Sequence, residues 1–199
     1  MRNAGGVIAR WPGMDSTAGA TLQMTIEPRA LLVIAGLPGS GKSTLLRSTQ
    51  ASRPVEVLDS DQMRDRLAAA LPPGTPYRRY RPAVHVLHRL RVVLAAIRTP
   101  GPVVVHDPAI GAATRAWLML TGLLTGRRRH LLWVDCTPAE ALAGQRARGR
   151  VLRKASFCRH LRRLPRVRAL LFEGRPRGWN ETTVVDRETA GRGLHLVVR

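Results

Sequence analysis

Three groups of residues have the types and spacing needed for chemistry. The first is Gly36-Leu37-Pro38-Gly39-Ser40-Gly41-Lys42-Ser43-Thr44, which fits G-x-x-x-x-G-K-S. It follows the apolar run Leu31–Ala35 and precedes a helical pattern at Leu45-Leu46. In that strand–loop–helix setting the glycines let backbone N–H groups turn inward around a phosphate, and the helix start adds partial positive charge. Lys42 reaches the β- and γ-phosphates, and the Ser43 hydroxyl is suited to Mg²⁺. A nucleoside triphosphate, ATP with Mg²⁺, is therefore the expected ligand.

The second group is Asp61 and Arg64, three apart after a second apolar run, Val55–Leu58. On a helix they share one face. Next to a γ-phosphate, a carboxylate can take the proton of an attacking hydroxyl and an arginine can hold the acceptor. An N-cap aspartate with a surface ion pair explains the same spacing. Asp107 ends the run Val103–Val105 and is read either as a second Mg²⁺ ligand or as a turn residue before Pro108. Arg146, Arg148 and Arg150 flank Gly149, as a lid closing over phosphates would, or as a solvated basic face. His85 and His88 have no partner cluster and are not read as metal ligands.

Five apolar runs of strand length alternate with helical patterns: Leu31–Ala35, Val55–Leu58, Val103–Val105, Leu131–Val134 and Thr182–Val185. That alternation predicts an α/β doubly wound fold, a mainly parallel five-stranded sheet with helices on both faces. Right-handed crossovers then bring the phosphate loop, Asp61, Asp107 and Asp135 to one sheet edge. Asp135 precedes the capping box Thr137-Pro138-Ala139-Glu140 and reads as structural. Helices are expected from Gly41 to Gln50, after Ser60 or Asp61 as N-cap, from Pro82 to Ile97, and from Ala112 to Thr125. Their apolar positions, Val86, Leu90, Leu94 and Ile97 in one and Trp117, Leu120, Leu123 and Leu124 in another, are expected to face the core. Residues 1–29 show no periodicity and read as a flexible leader, with Met14 and Met24 as alternative starts. Residues 30–199 then form one domain with an arginine-rich lid around 144–154.

The chain has 199 residues, 44% of them apolar, and a formal charge of +20. Such charge invites polyanion binding. Only Lys42 and Lys154 are lysines against 31 arginines, a bias that a GC-rich coding sequence also produces. Nucleic acid is therefore a less favoured partner than a small acceptor. Cys136 and Cys158 make no metal motif and read as reduced thiols. No run is long enough for a membrane span, and a cytoplasmic placement is the default.

Taken together, Gly36 to Thr44, Asp61-x-x-Arg64, Val103 to Asp107 and the Arg148 region resemble P-loop kinases of the polynucleotide-kinase-like and zeta-toxin-like group. The resemblance covers about residues 31–188. It implies phosphotransfer from ATP to a hydroxyl, with Lys42 on the phosphates, Asp61 as general base, Arg64 at the acceptor and Arg148 as the retained lid arginine. It also implies an adenine pocket near Val184-Asp186-Arg187. Two departures stand out. Gly144 occupies the place of the group's first lid arginine, and Asp107-Pro108-Ala109-Ile110 replaces an acid-plus-hydroxyl or amide run. Three functions are carried forward: a kinase for an unidentified hydroxyl acceptor, an ATP-hydrolysing regulatory module with no acceptor, and a nucleic-acid 5′-hydroxyl kinase.

Overall fold

Continuous β-branched runs have no polar side to give to water, so they settle where both sheet faces are covered. In the computed structural model, which describes residues 21–149, 151, 153–172 and 176–199, such runs form the middle of a wholly parallel sheet of five strands. The strands are β2 (Ala30–Gly36), β4 (Glu56–Asp59), β5 (Val103–His106), β6 (Arg128–Val134) and β7 (Glu181–Val185). Their order is β4-β5-β2-β6-β7, with β2 at the centre and every one of its residues buried. The expected doubly wound α/β architecture is what the chain adopts.

One face of this sheet, through Leu31, Val33 and Ala35, is covered by α3 (Tyr77–Arg98), α4 (Ala112–Leu124) and α6 (Lys154–Phe172). The other face, through Leu32 and Ile34, meets α1 (Lys42–Arg47) and α7 (Arg187–Gly191). It also meets a second sheet, of which the sequence shows only the terminal strand, in the apolar run Leu194–Val198, and not the partners it pairs with. That sheet joins β1 (Leu22–Ile26), β3 (Thr49–Ala51) and β8 (Leu194–Val198) in the order β1-β8-β3, all parallel.

This sheet corrects two expectations. The last part of the supposed leader is a strand, with Leu22, Met24 and Ile26 buried against β8; residues 1–20 lie outside the described residues. A chain begun at Met24 would lack Leu22 and its place in that ladder. The first helix stops at Arg47 rather than Gln50, because Thr49–Ala51 is drawn into the second sheet.

The remaining helices are α2 (Ser60–Ala70) and α5 (Pro138–Ala147). The N-cap of α2 is Asp59, whose carboxylate accepts from the Asp61 amide, rather than Ser60 or Asp61. On α5 the capping box between Thr137 and Glu140 forms as expected, with Pro138 at the first position. The long helices correct a third expectation. Val84, His88, Val92, Ala95 and Ala96 of α3, and Leu118, Thr121 and Gly122 of α4, face the core. The predicted apolar stripes on both helices, apart from the half-buried Trp117, point outward.

Candidate active site

The phosphate loop leaves the carboxyl end of β2 and turns into α1. Its shape requires glycine at Gly39, where φ is +95° and a Cβ would lie 2.0 Å from the Ala141 carbonyl oxygen. Gly41 is the N-cap of α1 and no side chain caps it. The first N–H groups of α1 therefore keep the orphan donors that a phosphate can satisfy. Lys42 folds back on the loop, its Nζ donating to the Gly36 oxygen at 3.0 Å and the Leu37 oxygen at 2.7 Å. Burial, and then the neighbouring Arg148 cation, lower the Lys42 pKa to about 8. The buried Ser40 hydroxyl has no partner among the described residues.

Across the cleft stands an acidic wall built by the β4–β5 ladder, in which Asp59 and His106 are register partners. His106 Nδ1 lies 2.8 Å from Asp59 Oδ2, and Asp59 Oδ1 accepts from the Asp61 amide at 2.9 Å. Burial works against the Asp59 charge, but the His106 contact and that amide outweigh it, so its carboxyl sits below the usual range. In the first turn of α2, Asp61 Oδ1 lies 3.3 Å from Arg64 Nη1, and Arg64 also reaches Asp65 at 3.0 Å. Burial opposes the Arg64 charge, but Asp65 and Asp61 more than offset it and raise its pKa.

The third wall is α5, seated directly on the loop. Gln145 donates to the Pro38 oxygen at 2.9 Å, and Arg187 donates to the Gly39 oxygen at 3.2 Å. Gly144 permits this contact, since a Cβ there would stand 2.3 Å from the Gly39 oxygen. A larger side chain at this position would collide with the loop. Beyond the helix, Arg148 Nη1 donates to the Ser43 hydroxyl at 3.0 Å and its Nε to the Gly144 oxygen at 3.3 Å. Arg150 and Leu152, inside the expected lid, lie outside the described residues.

The walls enclose a cleft of about 570 Å³, within the range of ligand sites. Lys42, Ser43, Asp61, Arg64 and Arg148, far apart in sequence, all line it. Asp107 Oδ1 accepts from the Ala109 amide at 2.7 Å and braces a turn, while its charge acts on Lys42. Asp59, His106, Tyr77 and Gln145 line the cleft as well. Asp59 was visible at a strand end two residues before Asp61; nothing in the sequence marked His106, because only strand register brings it to Asp59. Asp135 is structural, gripped by Arg168 at 3.0 and 2.9 Å and by the Trp133 indole.

Lys42, Arg47, Arg64 and Arg148 against Asp59 and Asp61 give the cleft an excess of positive charge that suits a polyphosphate. No cluster of three or more His, Cys, Asp or Glu side chains able to hold a metal exists among the described residues. A Mg²⁺ site of the kind that relies on one or two protein groups plus substrate phosphates fits Ser43 and Asp59, which share this cleft.

Comparison with known proteins gives a consistent picture. Residues 31–170 match the AAA domain family. Shikimate kinase of Corynebacterium glutamicum is 30% identical over 152 residues, 72% of this chain and 81% of that one. Among solved structures, the Deinococcus radiodurans tunicamycin resistance protein is 18% identical, with a TM-score of 0.50 over 81% of this chain and 91% of its own. A protein of the PezAT chromosomal toxin-antitoxin system of Streptococcus pneumoniae is 13% identical, with a TM-score of 0.58 over 82% of this chain and 69% of its own. At such identities these structures speak for the fold alone.

Proposed function

The chain belongs to the AAA domain family and is a P-loop kinase-like protein, and from that premise we propose that it transfers the γ-phosphate of ATP to a hydroxyl group of a small acceptor. One observation carries this reading: Asp61 and Arg64 stand in the same cleft as Lys42, Ser43 and Arg148. The same acid–arginine pair can orient water in a hydrolase, so an acceptor panel is what separates the two readings.

The loop amides and Lys42 hold the phosphates, Lys42 exchanging its two carbonyl contacts for phosphate oxygens. Asp61 accepts the proton of the acceptor hydroxyl as that oxygen attacks, while Arg64 holds the acceptor and fixes the Asp61 carboxylate. Arg148 neutralises charge that develops on the transferring group. Ser43 and Asp59 would hold Mg²⁺, which supplies further charge neutralisation at the phosphates. His106 keeps Asp59 ionised and aimed into the cleft. Two free cysteines, and the absence of any helix long and apolar enough to cross a membrane among the described residues, support a cytoplasmic setting.

The test is ADP release with an acceptor panel: shikimate, named for the relative, then sugars, nucleosides, aminoglycoside-like compounds and 5′-hydroxyl oligonucleotides. We expect one class of compound to accelerate ADP release with saturation. A slow release that no compound changes supports the acceptor-free ATPase instead.

A further inference from the structure

The basic charge of the chain is not spread evenly over its fold. Six residues of α3, one of α4 and six of α6 are arginine or lysine, and none in these helices is aspartate or glutamate. All 13 acids lie elsewhere, although the three helices together cover one face of the main sheet. A GC-rich coding sequence puts arginine where lysine could stand. It does not clear a layer of carboxylates.

Part of this charge is absorbed locally. Arg168 grips Asp135, Arg115 donates to the Ala109 and Ile110 oxygens, Arg91 donates to Gln62, and Arg89 rests on the Trp117 ring. Arg159, Arg162, Arg163 and Arg166 of α6 are not absorbed. All four are exposed, and none of their guanidinium groups makes an ion pair or a hydrogen bond among the described residues. Their spacing of i, i+3, i+4 and i+7 sets them on one side of α6, opposite Leu164, Val167 and Leu171, which enter the core. Neighbours at such spacing stand about 5–6 Å apart, so the four cations form one unbroken ridge roughly 10 Å long. Like charges three and four apart weaken a helix, and no carboxylate of α6 relieves them.

We propose that this ridge binds the phosphodiester backbone of a nucleic acid, independently of the catalytic cleft and of the acceptor that the cleft phosphorylates. A line of cations matches a line of anions: phosphates recur about every 3.4 Å along each strand of a duplex, so the ridge spans about three of them. Guanidinium forks also grip phosphate oxygens in pairs, which an ammonium cannot do. A lipid bilayer offers a plane of anions, and a helix lying on it inserts an apolar face beside its cations. The main apolar face of α6 is already taken by the core.

Fluorescence anisotropy of a labelled DNA strand of about 20 nucleotides, and of its duplex, titrated with the full chain from about 20 to about 200 mM salt, tests this. We expect binding whose log K falls linearly with log salt, as counterion release requires. Replacing Arg159, Arg162, Arg163 and Arg166 together by glutamine should reduce that slope by about three and weaken low-salt binding at least about tenfold. The circular dichroism spectrum should be unchanged. The control replaces Arg29, Arg53, Arg192 and Arg199, exposed and outside the helical layer, by glutamine. It removes the same four charges and should leave the slope within about one of wild type. If the fourfold α6 variant loses its fold, Arg159→Gln with Arg163→Gln, and Arg162→Gln with Arg166→Gln, should each lower the slope by about 1.5. Absence of binding to both DNA forms at low salt, an equal loss in the control, or binding to vesicles of anionic lipid in preference to DNA overturns the proposal.

Discussion

At the residue scale, Lys42 makes the sharpest prediction. Its pKa of about 8 lies below the ordinary lysine value because the closed loop withdraws it from water. Phosphates favour the charged form, so nucleotide binding must raise that pKa and take up a proton at pH values above about 8. Calorimetry in buffers of different ionisation enthalpy should detect this uptake. Affinity for ATP should fall about tenfold from pH 7 to pH 9, whereas Lys42→Arg, which stays charged, should lose that pH dependence. The sign for stability follows from the same depression. Burying charged Lys42 costs the fold most below pH 8, and the cost declines as the pH rises through the folded value. Lys42 and Ser43 were legible because the phosphate loop is local, eight consecutive positions with one geometry. Asp59 and His106 were not read as a pair, since a β4–β5 register, not sequence spacing, sets them side by side.

At the element scale, α5 and α2 play opposite parts. Helix α5 is fixed on the loop through Gly144 and Gln145, and Arg187 of α7 clips the two together by donating to the Gly39 and Glu140 oxygens. Gly144→Ala places a methyl 2.3 Å from the Gly39 oxygen, and backbone on both sides has little room to yield. We expect ATP affinity to fall at least tenfold and stability to fall by about 1–3 kcal/mol, read by titration and thermal melting. Helix α2, in contrast, has no fully buried residue although it carries Asp61 and Arg64. Few buried apolar contacts mean a low local opening free energy. Hydrogen exchange should be faster in α2 than in α3, and should slow when nucleotide and acceptor bind together. Helix positions were legible from periodicity, but the buried side was not. Val86, Leu90, Leu94 and Ile97 form the stronger hydrophobic stripe of α3, and the sheet instead takes the side holding His88 and two alanines.

At the scale of the whole molecule, Arg127 ties distant parts together through backbone carbonyls. Buried just ahead of β6, it donates to the carbonyls of Ala95 (3.4 Å), Ala96 (2.7 Å), Gly101 (2.8 Å) and Ala30 (3.2 Å), and to that of Thr99. A cation there satisfies the orphan oxygens at the end of α3 and opposes the negative end of its dipole. Arg127→Met removes every one of these donors and should cost about 3–5 kcal/mol. For a chain of this size that is a fall of roughly 10 °C in Tm, with the cleft at the other end of the strands unaltered. The parallel five-stranded sheet was legible because runs of strand length alternate with helical patterns along the chain. The second sheet was not: its strands come from both ends of the chain and from the three residues after α1, and only their meeting in space gives Leu22–Ile26 something to pair with.

The central claim is that an acceptor hydroxyl, not water, takes the phosphoryl group under control of Asp61. Phosphorus NMR of the products formed from ATP with the stimulating acceptor measures this directly. A phosphomonoester resonance should grow in step with ADP. In Asp61→Asn its rate should fall by ~10²–10⁴-fold while ATP affinity is retained. Inorganic phosphate as the sole product with every acceptor, or a phosphomonoester formed by Asp61→Asn at the wild-type rate, would contradict the account.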